Sequence, residues 1–293
     1  MKKITHILFV CVLLFIVHAG QAVAEPVVFV TLGPQKFFVE CISQGQVLVQ
    51  VMVEPGANPH VYEPKPRQMQ ALSTASLYFS IGDSFDLAWL PRLQAASPRM
   101  RVVQTDKGCA KISMIAHEHE GVGSDHSHEH GLDPHIWLDP ALVKIQARHI
   151  ADALVQADPD NAALYRANTV DFMAELDQLD QELREILGGL PPDQRSFLVF
   201  HPSWGYFAKA YGLEQMATET EGKEPSAKDI RQIISLAREK KIRVIFVQPQ
   251  FSEKSAGVLA KEIGAQVVRL DPLAQDWAEN LRQAARAFAT ALQ

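Results

Sequence analysis

Eleven histidines punctuate a chain of 293 residues, and two groups of them have the makings of metal chemistry. Three stand apart, each beside a proline, in Asn58-Pro59-His60, Asp133-Pro134-His135 and Phe200-His201-Pro202. Leu270-Asp271-Pro272 repeats the pattern with a carboxylate. Three imidazoles with a carboxylate or a water suit Zn2+, which takes nitrogen and oxygen ligands tetrahedrally at about 2.0–2.2 Å; Mn2+ favours more carboxylate oxygen. The second group is crowded. His117, His119, His126, His128 and His130 lie between residues 116 and 132 among Glu118, Glu120, Asp125 and Glu129, with three glycines and no apolar period. That texture predicts an exposed loop. Its imidazoles, largely unprotonated at neutral pH, would either collect Zn2+ weakly or bind it only incidentally.

The elements that must position these residues are legible as two series. Val27–Leu32, Gln46–Val53, Ser76–Ile81 and Arg101–Gln104 are β-branched runs alternating with amphipathic stretches, and Ser196–Phe200, Glu214–Thr218, Ile242–Val247 and Gln266–Leu270 repeat the rhythm. Such alternation implies mostly parallel sheets with helices on both faces. Between the series, Asn161 to Leu187 contains no Gly or Pro, and Leu164, Val170, Met173, Leu176, Leu179, Leu183 and Leu187 form a helical stripe. A helix of roughly 28 residues would span about 42 Å and act as a stiff spine; the alternative is a helix packed inside one large domain. Ser226 with Asp229 three residues on marks the start of another helix, running to about Lys240. The expected fold is therefore α/β, two lobes with mostly parallel sheets joined by a long rigid helix. The divisions fall at 25–140 for the first lobe, 141–190 for the helical linker and 191–293 for the second lobe. Ligands of open α/β sheets bind beyond the carboxyl ends of strands. His60, His135, His201 and Asp271 all follow strands, two from each series, which places a metal site in the cleft between the lobes.

Several segments carry a resemblance. Asn58-Pro59-His60-Val61-Tyr62-Glu63-Pro64, Asp133 to Pro140, Phe200-His201-Pro202-Ser203-Trp204, Glu224-Pro225-Ser226-Ala227 and Gln248-Pro249-Gln250-Phe251 resemble the zinc branch of the metal-binding solute-binding proteins of ABC transporters, over essentially the whole mature chain. The resemblance implies two α/β lobes joined by a long helix, with His60, His135 and His201 as imidazole ligands of Zn2+. It implies a membrane permease as partner and a monomer as the working form. Manganese-binding relatives carry Glu at the third position, so His201 favours zinc. The fourth ligand is open: Asp271 matches a metal-binding position of manganese relatives, whereas zinc members use water or another acid. Pro59 stands where some zinc members have an acid, and Gln248 where many relatives have Glu. Asp139 and Glu63 are candidates for supporting hydrogen bonds. The histidine-rich stretch resembles the variable loop of zinc-branch members.

The N-terminus indicates the compartment. Lys2 and Lys3, the apolar run from Ile4 to Val17 and Ala22-Val23-Ala24 read as a secretory signal peptide over residues 1–24, which predicts a periplasmic mature chain beginning at Glu25. The run is too short for a convincing membrane anchor, and no Cys sits at the cut to carry a lipid. The formal charge of −6 becomes about −8 once two lysines leave with the leader, which argues against nucleic acid as a partner. Cys41 and Cys109 are expected as buried small residues, or as a disulfide in an oxidising compartment. An enzyme is not expected. The chain has no H-E-x-x-H, since His117-Glu118-His119 has the wrong spacing, and no G-x-S-x-G elbow or P-loop. The alternatives are a zinc-dependent hydrolase, which needs an open coordination position and a general base, and a metal buffer or adhesin without a transporter.

Overall fold

The computed structural model describes residues 26–114, 131–219, 226–251 and 253–292. The expected leader 1–24, the histidine-rich stretch except its last two residues, and Glu224-Pro225 lie outside the described residues.

The first lobe runs β1 (Val27–Val30), α1 (Gly33–Ser43), β2 (Leu48–Val51), α2 (Pro66–Leu72), β3 (Ala75–Ser80), α3 (Ser84–Ala96) and β4 (Arg101–Gln104). Two helices follow, α4 (Pro140–Ala157) and α5 (Ala162–Gly188). The second lobe runs β5 (Ser196–Val199), α6 (Gly205–Tyr211), β6 (Glu214–Ala217), α7 (Ala227–Glu239), β7 (Val244–Val247), α8 (Glu253–Ile263), β8 (Gln266–Arg269) and α9 (Trp277–Leu292). Both sheets are parallel and share one strand order, β2-β1-β3-β4 and β6-β5-β7-β8. All eight expected strands are present. Their sequence runs overshoot because pairing continues beyond the regular ladder: Met52 N–H donates to Val30 O at 2.9 Å and Thr31 N–H to Phe79 O at 3.3 Å.

The long helix forms as expected, 27 residues from Ala162 to Gly188, but its inner stripe differs in the first half. Tyr165, Asn168, Phe172, Leu176, Leu179, Leu183 and Leu187 are buried, whereas Val170 is 68% exposed. Spacings of three and four residues run unbroken through the aromatic and amide positions. Asn168 replaces an apolar contact with a hydrogen bond, its Nδ2 donating to Ile42 O at 2.9 Å. A count of aliphatic residues misses that. The helix packs against α4 and α9, and the main apolar core runs without a break from the first sheet through these helices to the second sheet. Trp277 at the start of α9 reaches back to the first lobe, its ring 5.0 Å from that of Phe38. A smaller cluster, including Leu198, Ile245, Ile233 and Leu259, lies at α7 and α8.

Direct bonds tie the lobes near their shared face. Trp137 Nε1–H donates to Pro272 O and Trp277 Nε1–H to Trp137 O, both at 2.7 Å. A Cβ on Gly33 would stand 2.7 Å from Leu273 O, so only glycine allows α1 to meet that turn. Cys41 and Cys109 are free and half-buried, and burial pushes the Cys41 thiol up to about 12 and the Cys109 thiol up to about 11.

Candidate metal centre

In each sheet the strand order reverses, between β1 and β3 or between β5 and β7, and such a reversal opens a crevice beyond the carboxyl ends of those strands. His60 lies past β2 on a 3₁₀ turn, Pro59–Val61, whose Asn58 side chain accepts from His60 N–H at 3.0 Å. His201 lies two residues past β5. Its backbone is clamped by Gln248 beyond β7, whose Nε2 donates to His201 O at 2.7 Å and whose Oε1 accepts from His201 N–H at 3.4 Å. His135 lies in the chain entering α4, where Asp133 Oδ1 accepts from its backbone N–H at 2.9 Å.

These turns bring three ring nitrogens together. His201 Nε2 is 3.3 Å from His60 Nε2 and 3.3 Å from His135 Nε2. A tetrahedral ion with bonds of about 2.0–2.1 Å holds its donors about 3.3–3.4 Å apart, so both separations fit zinc. Among the described residues no group of three or more His, Cys, Asp or Glu side chains has the mutual spacing of a metal cage; the imidazoles form a chain with His201 in the middle.

Each outward nitrogen has a partner. His135 Nδ1 meets Asp133 Oδ1 at 2.7 Å, His201 Nδ1 meets Glu219 Oε2 at 2.9 Å, and His60 Nδ1 meets Ser84 Oγ at 2.8 Å. A carboxylate only accepts, so Asp133 and Glu219 keep the hydrogen on Nδ1 and leave the Nε2 lone pair for a metal. Burial, then the positive charge that His201 and His135 would carry, lowers the pKa of His60 to about 4 against the pull of Glu219. Burial also lowers that of His135, outweighing Asp133. At neutral pH these two imidazoles are therefore neutral.

His60, His135 and His201 line one crevice together with Asp83, Ser84, Trp137, Gln248, Phe251, Pro272 and Leu273. Phe251 stacks on His201, with ring centroids 6.2 Å apart. Asp271 is not among the lining residues. Its Oδ1 turns back to accept from Leu273 N–H at 2.9 Å, and it presents Pro272 and Leu273 to the crevice instead. Of the expected supporting acids, Asp139 caps α4 by accepting from Ala141 N–H at 2.8 Å, and Glu63 is exposed; neither lines the crevice. The supporting groups are Ser84, Asp133 and Glu219. Asp133 carried a sequence signal, two residues before His135 in an Asp-Pro turn. Ser84 and Glu219 carried none, because they reach their histidines from other elements.

Two further carboxyls share the first lobe's rim. Asp86 accepts from Ile81 N–H at 2.6 Å, Gly82 N–H at 2.8 Å and Thr31 Oγ1–H at 2.7 Å. Asp83 caps α3 through Oδ1, which accepts from Asp86 N–H at 2.9 Å, while its buried Oδ2 has no protein partner. Burial and the adjacent Asp86 hold the Asp83 pKa well above the carboxylate range. Burial raises Asp86 too, but its donors oppose the shift.

The family model described as ZnuA, zinc-uptake complex component A, periplasmic, matches residues 28–291. The high-affinity zinc uptake system protein ZnuA of Bacillus subtilis (strain 168) is 30% identical over 251 residues, covering 84% of this chain and 78% of that protein. A crystal structure of ZnuA superposes with a TM-score of 0.84 at 44% identity, covering 92% of this chain and 100% of that one. A zinc-bound deletion mutant of ZnuA gives 0.83 at 44% identity over 91% and 98%. Matched along nearly all its described length in sequence and in fold, the chain belongs to the ZnuA family of periplasmic zinc-uptake components.

Proposed function

We propose that this chain captures Zn2+ between its two lobes and hands it to the membrane permease of an ABC importer, acting as a binding protein and not as an enzyme. One observation carries the reading: three Nε2 atoms from both lobes stand 3.3 Å apart in sequence along the crevice, and carboxylates hold two of the rings in the metal-binding tautomer. His60, His135 and His201 are assigned as ligands. The fourth position goes to a water in place of Asp271, whose carboxylate is engaged at Leu273. Three imidazoles with no carboxylate favour Zn2+ over Mn2+. The acids closest to the rings, Asp133 and Glu219, hold Nδ1 hydrogens, which suits retention of an ion more than activation of water. Residues 1–24 act as the export signal, a monomer is the working unit, and the division 25–140, 141–190 and 191–293 separates the capturing lobes from the helices that set their spacing. Among the described residues no helix is long and apolar enough to cross a membrane.

Calorimetric titration of metal-stripped protein tests the reading. About one tight Zn2+ is expected, lost on replacing His135 or His201 by Ala, with Mn2+ unable to compete. A preference for Mn2+, or tight binding that survives loss of both histidines, would refute it. Deleting 117–130 should lower the total zinc bound and spare the tight site; unchanged stoichiometry would make the stretch a spacer, and loss of the tight site would make it part of the primary coordination sphere.

A further inference from the structure

The three imidazoles are not held alike. His135 and His201 are buried, 6% and 8% exposed, and their Nδ1 atoms face carboxylates. His60 has an exposed outer edge, and its Nδ1 faces only the hydroxyl of Ser84, at 2.8 Å. A hydroxyl both donates and accepts and rotates to suit. When Nδ1–H donates to Ser84 Oγ, His60 Nε2 is a bare ligand. When Ser84 Oγ–H donates to Nδ1, the hydrogen sits on Nε2 and the ring cannot bind metal. Asp133 and Glu219 allow their rings only the first state.

Resting on the zinc-capture reading above, we propose that His60 is the release ligand of the site and that Ser84 is the positioning residue that sets how readily it lets go. His135 and His201 form the fixed half, and His60 closes the coordination and opens it first. The exchange balances: zinc leaves Nε2, a water proton takes its place there, and the Nδ1 hydrogen passes to solvent as the Ser84 hydroxyl turns to donate. Ser84 is well placed for this role. It is the first residue of α3, whose N-terminus is fixed by the Asp83 cap, so its Oγ is held at one point while its hydrogen is free to rotate.

The test replaces Ser84 in the full-length protein and follows zinc release into excess chelator by stopped flow. Ser84→Ala leaves α3 and its Asp83 cap in place, and release should speed up about 10- to 100-fold, the usual effect of losing a ligand's hydrogen-bond partner. Ser84→Thr keeps the hydroxyl and should restore the wild-type rate. Ser84→Asp imposes a carboxylate and should slow release below wild type. The 15N shifts of His60 in labelled, metal-free protein give a readout that altered packing would not imitate: a mixture of tautomers in wild type and Ser84→Thr, and the Nδ1–H form alone in Ser84→Asp. Release rates within twofold across all three variants, or a single His60 tautomer throughout, would overturn the proposal. If the wild type fails to bind zinc tightly, the capture reading itself fails, an outcome distinct from unchanged rates in a protein that does bind.

Discussion

In the proposed site protons and zinc compete for the same ring nitrogens, and the ring environments decide at which pH the protons win. His60 is depressed to about 4 and His135 is shifted the same way, both chiefly by burial. Zinc should therefore stay bound below the ordinary imidazole range near 6.5, and a release midpoint at or above that pH, followed with a zinc indicator, would contradict the geometry. Both shifts are downward, so in metal-free protein the contribution is complete above about 6.5 and is lost as the pH falls through about 4. Its urea midpoint should drop across that window. Asp83 has the opposite sign. Its raised pKa means that stability is complete below the ordinary carboxyl range and is lost as the pH rises through its folded value of about 8. Asp83→Asn keeps an oxygen for the α3 cap and removes the ionisation. The variant should gain on wild type in denaturant midpoint between pH 5 and pH 8; a constant difference would mean that Asp83 ionises freely.

At the scale of elements, α5 packs against helices of both lobes. Leu183 on its inner face is fully buried, and Leu183→Ala should destabilise by about 2–5 kcal/mol, measured by urea unfolding, while one tight zinc still binds in the folded fraction. The helix and the eight strands were legible because each announces itself within a window of a few residues. The stripe of α5 was misplaced at Val170 because a buried Asn168 satisfies Ile42 O from another helix, a partner 126 positions away. The site divides along the same line. His60, His135 and His201 stood out because each sits in a short Pro-containing segment, past a strand for His60 and His201 and before α4 for His135. Asp271 shares that signature, yet its side chain serves Leu273 N–H, and neighbouring type and spacing cannot show which way a carboxylate turns. Ser84 and Glu219 were invisible because nothing near them in sequence points to His60 or His201. Supporting hydrogen bonds belong to the tertiary fold, whereas the three histidines belong to local turns.

At the scale of the whole molecule, the lobes meet through α1, the turn at Leu273 and the Trp137–Pro272 bond, so the shape of the crevice depends on contacts made by glycine as well as on the three histidines. Gly33 opens α1 with no space for a side chain: an added Cβ would lie 2.7 Å from Leu273 O and 3.0 Å from Gln275 Cγ. Leu273 also lines the crevice of the three histidines. In Gly33→Ala the backbone oxygen has to retreat, since it is not the end of a flexible side chain, and it carries the crevice wall with it. The expected loss is about 1–3 kcal/mol of stability, typical of overpacking, together with weaker zinc binding by a protein whose ligands are all intact. Gly257 supplies the control. It lies within α8 with nothing inside 4 Å of an added Cβ, so Gly257→Ala should stabilise by about 0.5–1 kcal/mol through the lower chain entropy of alanine in a helix. Urea unfolding and zinc titration of the two variants side by side separate the helix effect from the lobe contact. Equal and opposite stability changes with zinc affinity unmoved in both would show that the α1–Leu273 contact supports the fold alone and takes no part in holding the crevice closed.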